Sequence, residues 1–172
     1  MKKLFTLTVL VFAFLVSVTT TANAQRVSNG VYKICLASDP RFVIDLDNSQ
    51  AECWRNIQLW EWNNTNAQKW YVEDNPGSHS VTIRSMVNRN FVLDLYHSEL
   101  HNGNNIQLYQ DDDTSAQEWK LEPVDGGYII HSAVRPGHVI DVDHAHFRAG
   151  TNIQIWERNG SNAQVWKFVR VY

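Results

Sequence analysis

Three aspartates in this chain recur with the same company. Asp45, Asp94 and Asp141 each stand 13 residues before a glutamine, Gln58, Gln107 and Gln154, and two residues beyond each glutamine is an aromatic ring, Trp60, Tyr109 or Trp156. A second glutamine follows each first one, at Gln68, Gln117 and Gln164, and two residues later comes Trp70, Trp119 or Trp166. An ionised carboxylate accepts hydrogen bonds from two adjacent hydroxyls, and an amide both donates and accepts. An aromatic face receives an apolar C–H surface. Together these groups suit a polyhydroxylated ring such as a pyranose.

The elements that must position them repeat as well. The copies start 49 and 47 residues apart, and a fixed period of this size marks one supersecondary unit used three times. Each unit opens on an alternating run, Gly30 to Ile34, Ser80 to Ile83 and Gly127 to Ile130. A second run carries the aspartate: Phe42 to Leu46, Phe91 to Leu95 and His138 to Val142. The Gln-x-aromatic run makes a third strand, and the segment around Trp70, Trp119 or Trp166 a fourth. No segment holds a helical period with caps, so the chain is predicted to be all-β with twelve short strands. Threefold repetition selects a closed form, a six-stranded barrel capped by three hairpins, the β-trefoil. The domain is expected over 30–172, with repeats of about 30–76, 77–124 and 125–172.

Side chains alternate across a strand. With Ile57 and Leu59 turned inward, Gln58 and Trp60 face out, as do Gln107 with Tyr109 and Gln154 with Trp156. Trp70, Trp119 and Trp166 read as core. Gln68, Gln117 and Gln164 sit where they would pin backbone groups of a turn, and Asn56, Asn105 and Asn152 where they would shape a loop exit.

The thrice-repeated Gln-x-Trp or Gln-x-Tyr, with Asp-Leu or Asp-Val 13 residues upstream, resembles the ricin-type β-trefoil lectin domain over residues 30–170. That resemblance implies one shallow galactose-class site per repeat, with the carbohydrate-binding sets Asp45, Gln58, Trp60 and Gln68; Asp94, Gln107, Tyr109 and Gln117; and Asp141, Gln154, Trp156 and Gln164. The family's asparagine before the second glutamine is alanine here, at Ala67, Ala116 and Ala163. Asn66 and Asn162 stand one place earlier and would have to swing in. The departure leaves sugar binding as a class and opens the choice between a galactose-class glycan and another polysaccharide. Trp54 and Trp62 are expected to enlarge the first site. The first repeat therefore reads as the strongest, the third next, and the middle one, with Tyr109 and Asp111–Asp113, as the one apt to differ or be silent.

The first two dozen residues read as an address. Met1-Lys2-Lys3, an apolar run from Leu4 to Val18 and Ala22-Asn23-Ala24 make a signal peptide over 1–24, too short in its apolar part for a comfortable span, with 25–29 as a loose leader. Loss of Lys2 and Lys3 takes the formal charge from −3 to −5. A secreted or periplasmic bacterial protein is expected, without membrane insertion after cleavage. An acidic chain lacking a Lys/Arg cluster is a poor match for nucleic acid. Export permits a disulfide between Cys35 and Cys53, with two free thiols as the alternative.

A reaction centre is not expected. Paired glycosidase carboxylates sit about 5–10 Å apart, whereas threefold symmetry spreads these three around a barrel. No nucleophile elbow or phosphate loop occurs, no cofactor is implied, and His144-Ala145-His146 lacks a third metal ligand in spacing. The expectation is a non-enzymatic lectin with up to three sugar sites; the alternative is a protein-binding or inhibitor trefoil whose sugar sites have decayed.

Overall fold

The computed structural model describes residues 27–171; the signal-peptide reading of 1–24 lies outside them. Twelve strands follow in order: β1 Gly30–Leu36, β2 Phe42–Leu46, β3 Arg55–Glu61, β4 Trp70–Asn75, β5 Ser80–Ser85, β6 Phe91–Leu95, β7 Asn104–Gln110, β8 Glu118–Val124, β9 Gly127–Ser132, β10 His138–Val142, β11 Thr151–Glu157 and β12 Trp166–Arg170. Strands β1, β4, β5, β8, β9 and β12 pair in a closed antiparallel ring. Closure leaves that ring without an exposed edge. The remaining strands form three hairpins, β2–β3, β6–β7 and β10–β11. Their inner strands β3, β7 and β11 also pair with one another. The fold is a β-trefoil.

The core is as repetitive as the sequence. Ile34, Ile83 and Ile130, with Trp70, Trp119 and Trp166, are fully buried. Each indole donates its N–H to the carbonyl of the residue before the repeated aspartate: Trp70 to Ile44 at 3.0 Å, Trp119 to Leu93 at 3.2 Å and Trp166 to Ile140 at 3.1 Å. A buried indole N–H needs such a partner. Its bond fixes the aspartate's strand against the barrel.

At the meeting of β3, β7 and β11, three amides close a ring. Asn56 donates to Asn152, Asn152 to Asn105 and Asn105 to Asn56, all at 2.9 Å. The loop-exit asparagines thus bind the repeats to one another rather than each to its own loop.

One expectation is corrected and one open alternative is decided. Residues 27–29 are not loose: Val27 is buried, Asn29 accepts the Asp74 N–H at 2.8 Å, and Arg170 donates to the Asn29 carbonyl at 2.6 Å. Cys35 and Cys53 are free thiols. Cys35 is buried on β1 opposite Lys167 of β12, while Cys53 lies in a loop that the Trp54 N–H ties to Leu108 of β7, so different neighbours hold them.

Candidate functional site

The 13-residue spacing is a hairpin register. Asp45 lies directly opposite Gln58, Asp94 opposite Gln107 and Asp141 opposite Gln154. Side chains opposite one another on an antiparallel pair are close enough to bond. Each glutamine Nε2 donates to its aspartate's Oδ1, at 2.9, 2.8 and 3.0 Å. Two residues on, Trp60, Tyr109 and Trp156 stand opposite Val43, Val92 and Val139. Trp60 is 39% and Trp156 36% exposed, and Tyr109 is half-buried. The structure therefore brings the aspartate, first glutamine and aromatic of each set onto one hairpin.

The second glutamines belong behind the site. Gln68, Gln117 and Gln164 are no more than 1% exposed. Each accepts a backbone N–H, from Asn63, Asp112 or Asn159, and donates to a backbone carbonyl, of Glu61, Gln110 or Glu157. Gln164 also donates to Asp141 Oδ2 at 3.0 Å. These side chains brace the turn and the carboxylate and offer no surface to a ligand, which corrects their place among the contact residues. They are buried because the 3-10 turns Asn66–Gln68, Ser115–Gln117 and Asn162–Gln164 tuck them under the hairpins.

Burial raises the pKa of Asp45, Asp94 and Asp141 above the usual carboxylate value; hydrogen bonds from both glutamines of each repeat oppose the shift. Asp47, Asp112 and Asp143 add a like-charge push in the same upward direction, and His97 and His144 pull Asp94 and Asp141 down. These are acceptors desolvated on one side and held by amides on the other, an arrangement suited to binding hydroxyls.

Open clefts adjoin two of the hairpins. One of about 260 Å³ is lined by Asp141, His144, Gln154, Trp156, Asn159, Ser161 and Ala163 among others. Another of about 270 Å³ contains Asp94, Gln107, Tyr109, Ala116, Tyr96 and Trp54. A smaller cavity among Val27, Val81, Leu121 and Tyr128 holds none of the repeated residues.

Ala116 and Ala163 thus meet the clefts themselves. Asn162 is exposed and is not part of the third cleft's lining, where Asn159 and Ser161 stand; Asn66 is exposed as well. Trp62 does not join the first site either. Its N–H bonds the Arg41 carbonyl at 2.8 Å, Lys33 lies 4.8 Å over its ring, and it faces a separate cleft with Pro40 and Glu61. Trp54 is likewise misassigned to the first repeat, because its indole meets Tyr109 edge-on with ring centroids 5.7 Å apart.

Sequence reasoning missed Tyr96, Asn159 and Ser161. Tyr96 has a legible signal, lying two residues past Asp94 where the other repeats have Asp47 and Asp143.

A model of the ricin-type β-trefoil lectin domain-like family matches residues 17–109 and 102–156. Among solved structures, the Rhizoctonia solani agglutinin is 21% identical with a TM-score of 0.75, covering 85% of this chain and 98% of its own. A Macrolepiota procera ricin B-like lectin, in complex with lactose, is 20% identical with a TM-score of 0.71, covering 86% and 99%. An exo-β-1,3-galactanase from Clostridium thermocellum is 26% identical with a TM-score of 0.76 over 86% of this chain and 31% of that one. No curated protein sequence matches the chain.

Proposed function

The chain belongs to the ricin-type β-trefoil lectin domain-like family, and on that footing we propose that it is a carbohydrate-binding protein with up to three shallow sugar sites. The observation that carries the reading is a ring, exposed at Trp60 and Trp156 and half-buried at Tyr109, on the same hairpin as an aspartate that accepts from a glutamine amide, repeated three times. A pyranose would lay its C–H face on Trp60, Tyr109 or Trp156. Its vicinal hydroxyls would donate to Asp45, Asp94 or Asp141. The lactose complex of the Macrolepiota lectin supports a galactose-class ligand; alanine at 67, 116 and 163 takes away an amide and favours contacts from elsewhere, such as Asn159.

The clefts at the second and third hairpins are small and open, so useful affinity comes from several sites engaging one polyvalent surface. The aspartates sit on three separate hairpins, each bonded to its own glutamine, and Asp94 and Asp141 line different clefts. That arrangement favours binding over hydrolysis. Met1 to Ala24 are proposed as an export signal, with the periplasm or the cell exterior as the proposed destination.

A glycan array on the exported protein is the direct test. Specific retention that drops at least tenfold in the Trp60→Ala/Tyr109→Ala/Trp156→Ala variant supports the sites. Retention of no glycan refutes them and favours the protein-binding reading, for which the three alanines are the supporting observation.

A further inference from the structure

The position just before each inner hairpin strand is occupied by Trp54, Gly103 and Gly150, one per repeat. All three have left-handed backbone, with φ of +64°, +87° and +83°. All three donate their N–H to the neighbouring repeat, at Leu108, Ile155 and Leu59. Glycine takes this conformation at no steric cost, whereas a bulky side chain is strained in it. Trp54 is nonetheless the most exposed large apolar side chain of the described residues, at 66%. Its backbone strain therefore does not serve burial of its indole. Residues held against their preference in this way cluster at ligand sites.

A second departure from the threefold pattern lands in the same place. Tyr96, exposed, replaces the aspartate found at 47 and 143. Trp54, Tyr96 and Gln107 line both the cleft that holds Asp94 and an adjoining one that runs to Asn105. At the equivalent positions of the other sites the neighbouring repeat contributes only a glycine: an added Cβ at Gly103 would stand 4.0 Å from Trp156, and one at Gly150 would stand 3.8 Å from Trp60.

We propose that the middle repeat's cleft is an elongated site for a glycan of at least two sugar residues, with Trp54, lent by the preceding repeat, as its second stacking ring. The inference rests on the sugar-binding reading above. One residue of the glycan sits on Tyr109 with its hydroxyls on Asp94; the next lies along Trp54 and Tyr96. The first and third sites, with one ring apiece from the repeated set, take a single residue.

The test isolates the middle site in a Trp60→Ala/Trp156→Ala background. The probe is a glycan array that displays single sugars alongside their two- to four-residue chains, lactose among them. The background protein should retain chains of two or more residues more tightly than the matching single sugars. Adding Trp54→Gly should weaken the longer chains at least tenfold, about 1.4 kcal/mol, and single sugars less than threefold. The same substitution should leave the midpoint of thermal unfolding unchanged or raised, because glycine relieves the left-handed strain. An unchanged glycan profile after Trp54→Gly, or a background protein that binds nothing while the parent binds, overturns the proposal and leaves the first and third sites standing. A parent protein that binds no glycan overturns the underlying reading instead. A lowered midpoint with unchanged binding assigns Trp54 to the fold.

Discussion

Replacing Asn105 by alanine should destabilise the protein more than any further replacement in the same ring. Each of Asn56, Asn105 and Asn152 donates one side-chain bond and accepts one, so the ring holds three bonds in all. Asn105→Ala removes two of them, a second substitution removes the last, and a third removes none. At about 1 kcal/mol per net hydrogen bond, and toward the low end because the amides are half-buried, the first substitution should cost about 1–2 kcal/mol. The second should cost about half that and the third almost nothing. For a domain of this size about 1 kcal/mol moves the midpoint by roughly 2–4 °C, so Asn105→Ala should melt about 2–8 °C lower. Urea and thermal unfolding, followed by tryptophan fluorescence, would measure the single, double and triple variants. Three equal increments would mean that the amides act independently and the ring contributes no shared stability. A first substitution within about 0.5 kcal/mol of the parent, the usual range for a surface change, would refute the reasoning altogether.

Other outcomes follow from the site and from the rest of the fold. Burial raises the folded-state pKa of Asp45, Asp94 and Asp141, so glycan binding, which uses the carboxylate, should fade on acidification with a midpoint above the ordinary value of about 3.9; isothermal titration from neutral pH downward would read it, and binding that stays undiminished down to that value would contradict the assignment. The same shift makes these aspartates' contribution to stability greatest below their unfolded pKa and smaller as pH rises through the folded one. Asp39, held low by its hydrogen bonds with Arg41, acts oppositely, its contribution being lost as pH falls through its folded-state value. Gln164→Leu leaves the Asn159 N–H, the Glu157 carbonyl and Asp141 Oδ2 each short of a partner, and should cost about 2–4 kcal/mol in chemical denaturation while weakening binding only at the third site. Two free thiols predict that a reductant leaves the unfolding midpoint unchanged, and that two thiols titrate after denaturation.

Much of the site was legible because it is made of register. The interval from Asp45 to Gln58 fixes a hairpin, alternation then turns Trp60 outward, and the same holds at Asp94 and Asp141. Gln68, Gln117 and Gln164 were harder to place. A polar side chain in a turn can face water or fold beneath it, and the spacing is the same in either case. The Trp54 error has a different source. Along the chain it lies next to the first hairpin, but its backbone bond to Leu108 delivers the indole to the second.

The sequence by itself determined the threefold unit, the strands, the buried tryptophans and the recurrence of an aspartate 13 residues before each first glutamine. All of these depend on local period and on hydrogen bonds within one hairpin. Tertiary structure alone decided which repeat serves which site. Closing β3, β7 and β11 about a common axis carries the loop before each of these strands across to its neighbour. An exposed ring at position 54 therefore belongs to a cleft built around a residue 40 places further along the chain, Asp94.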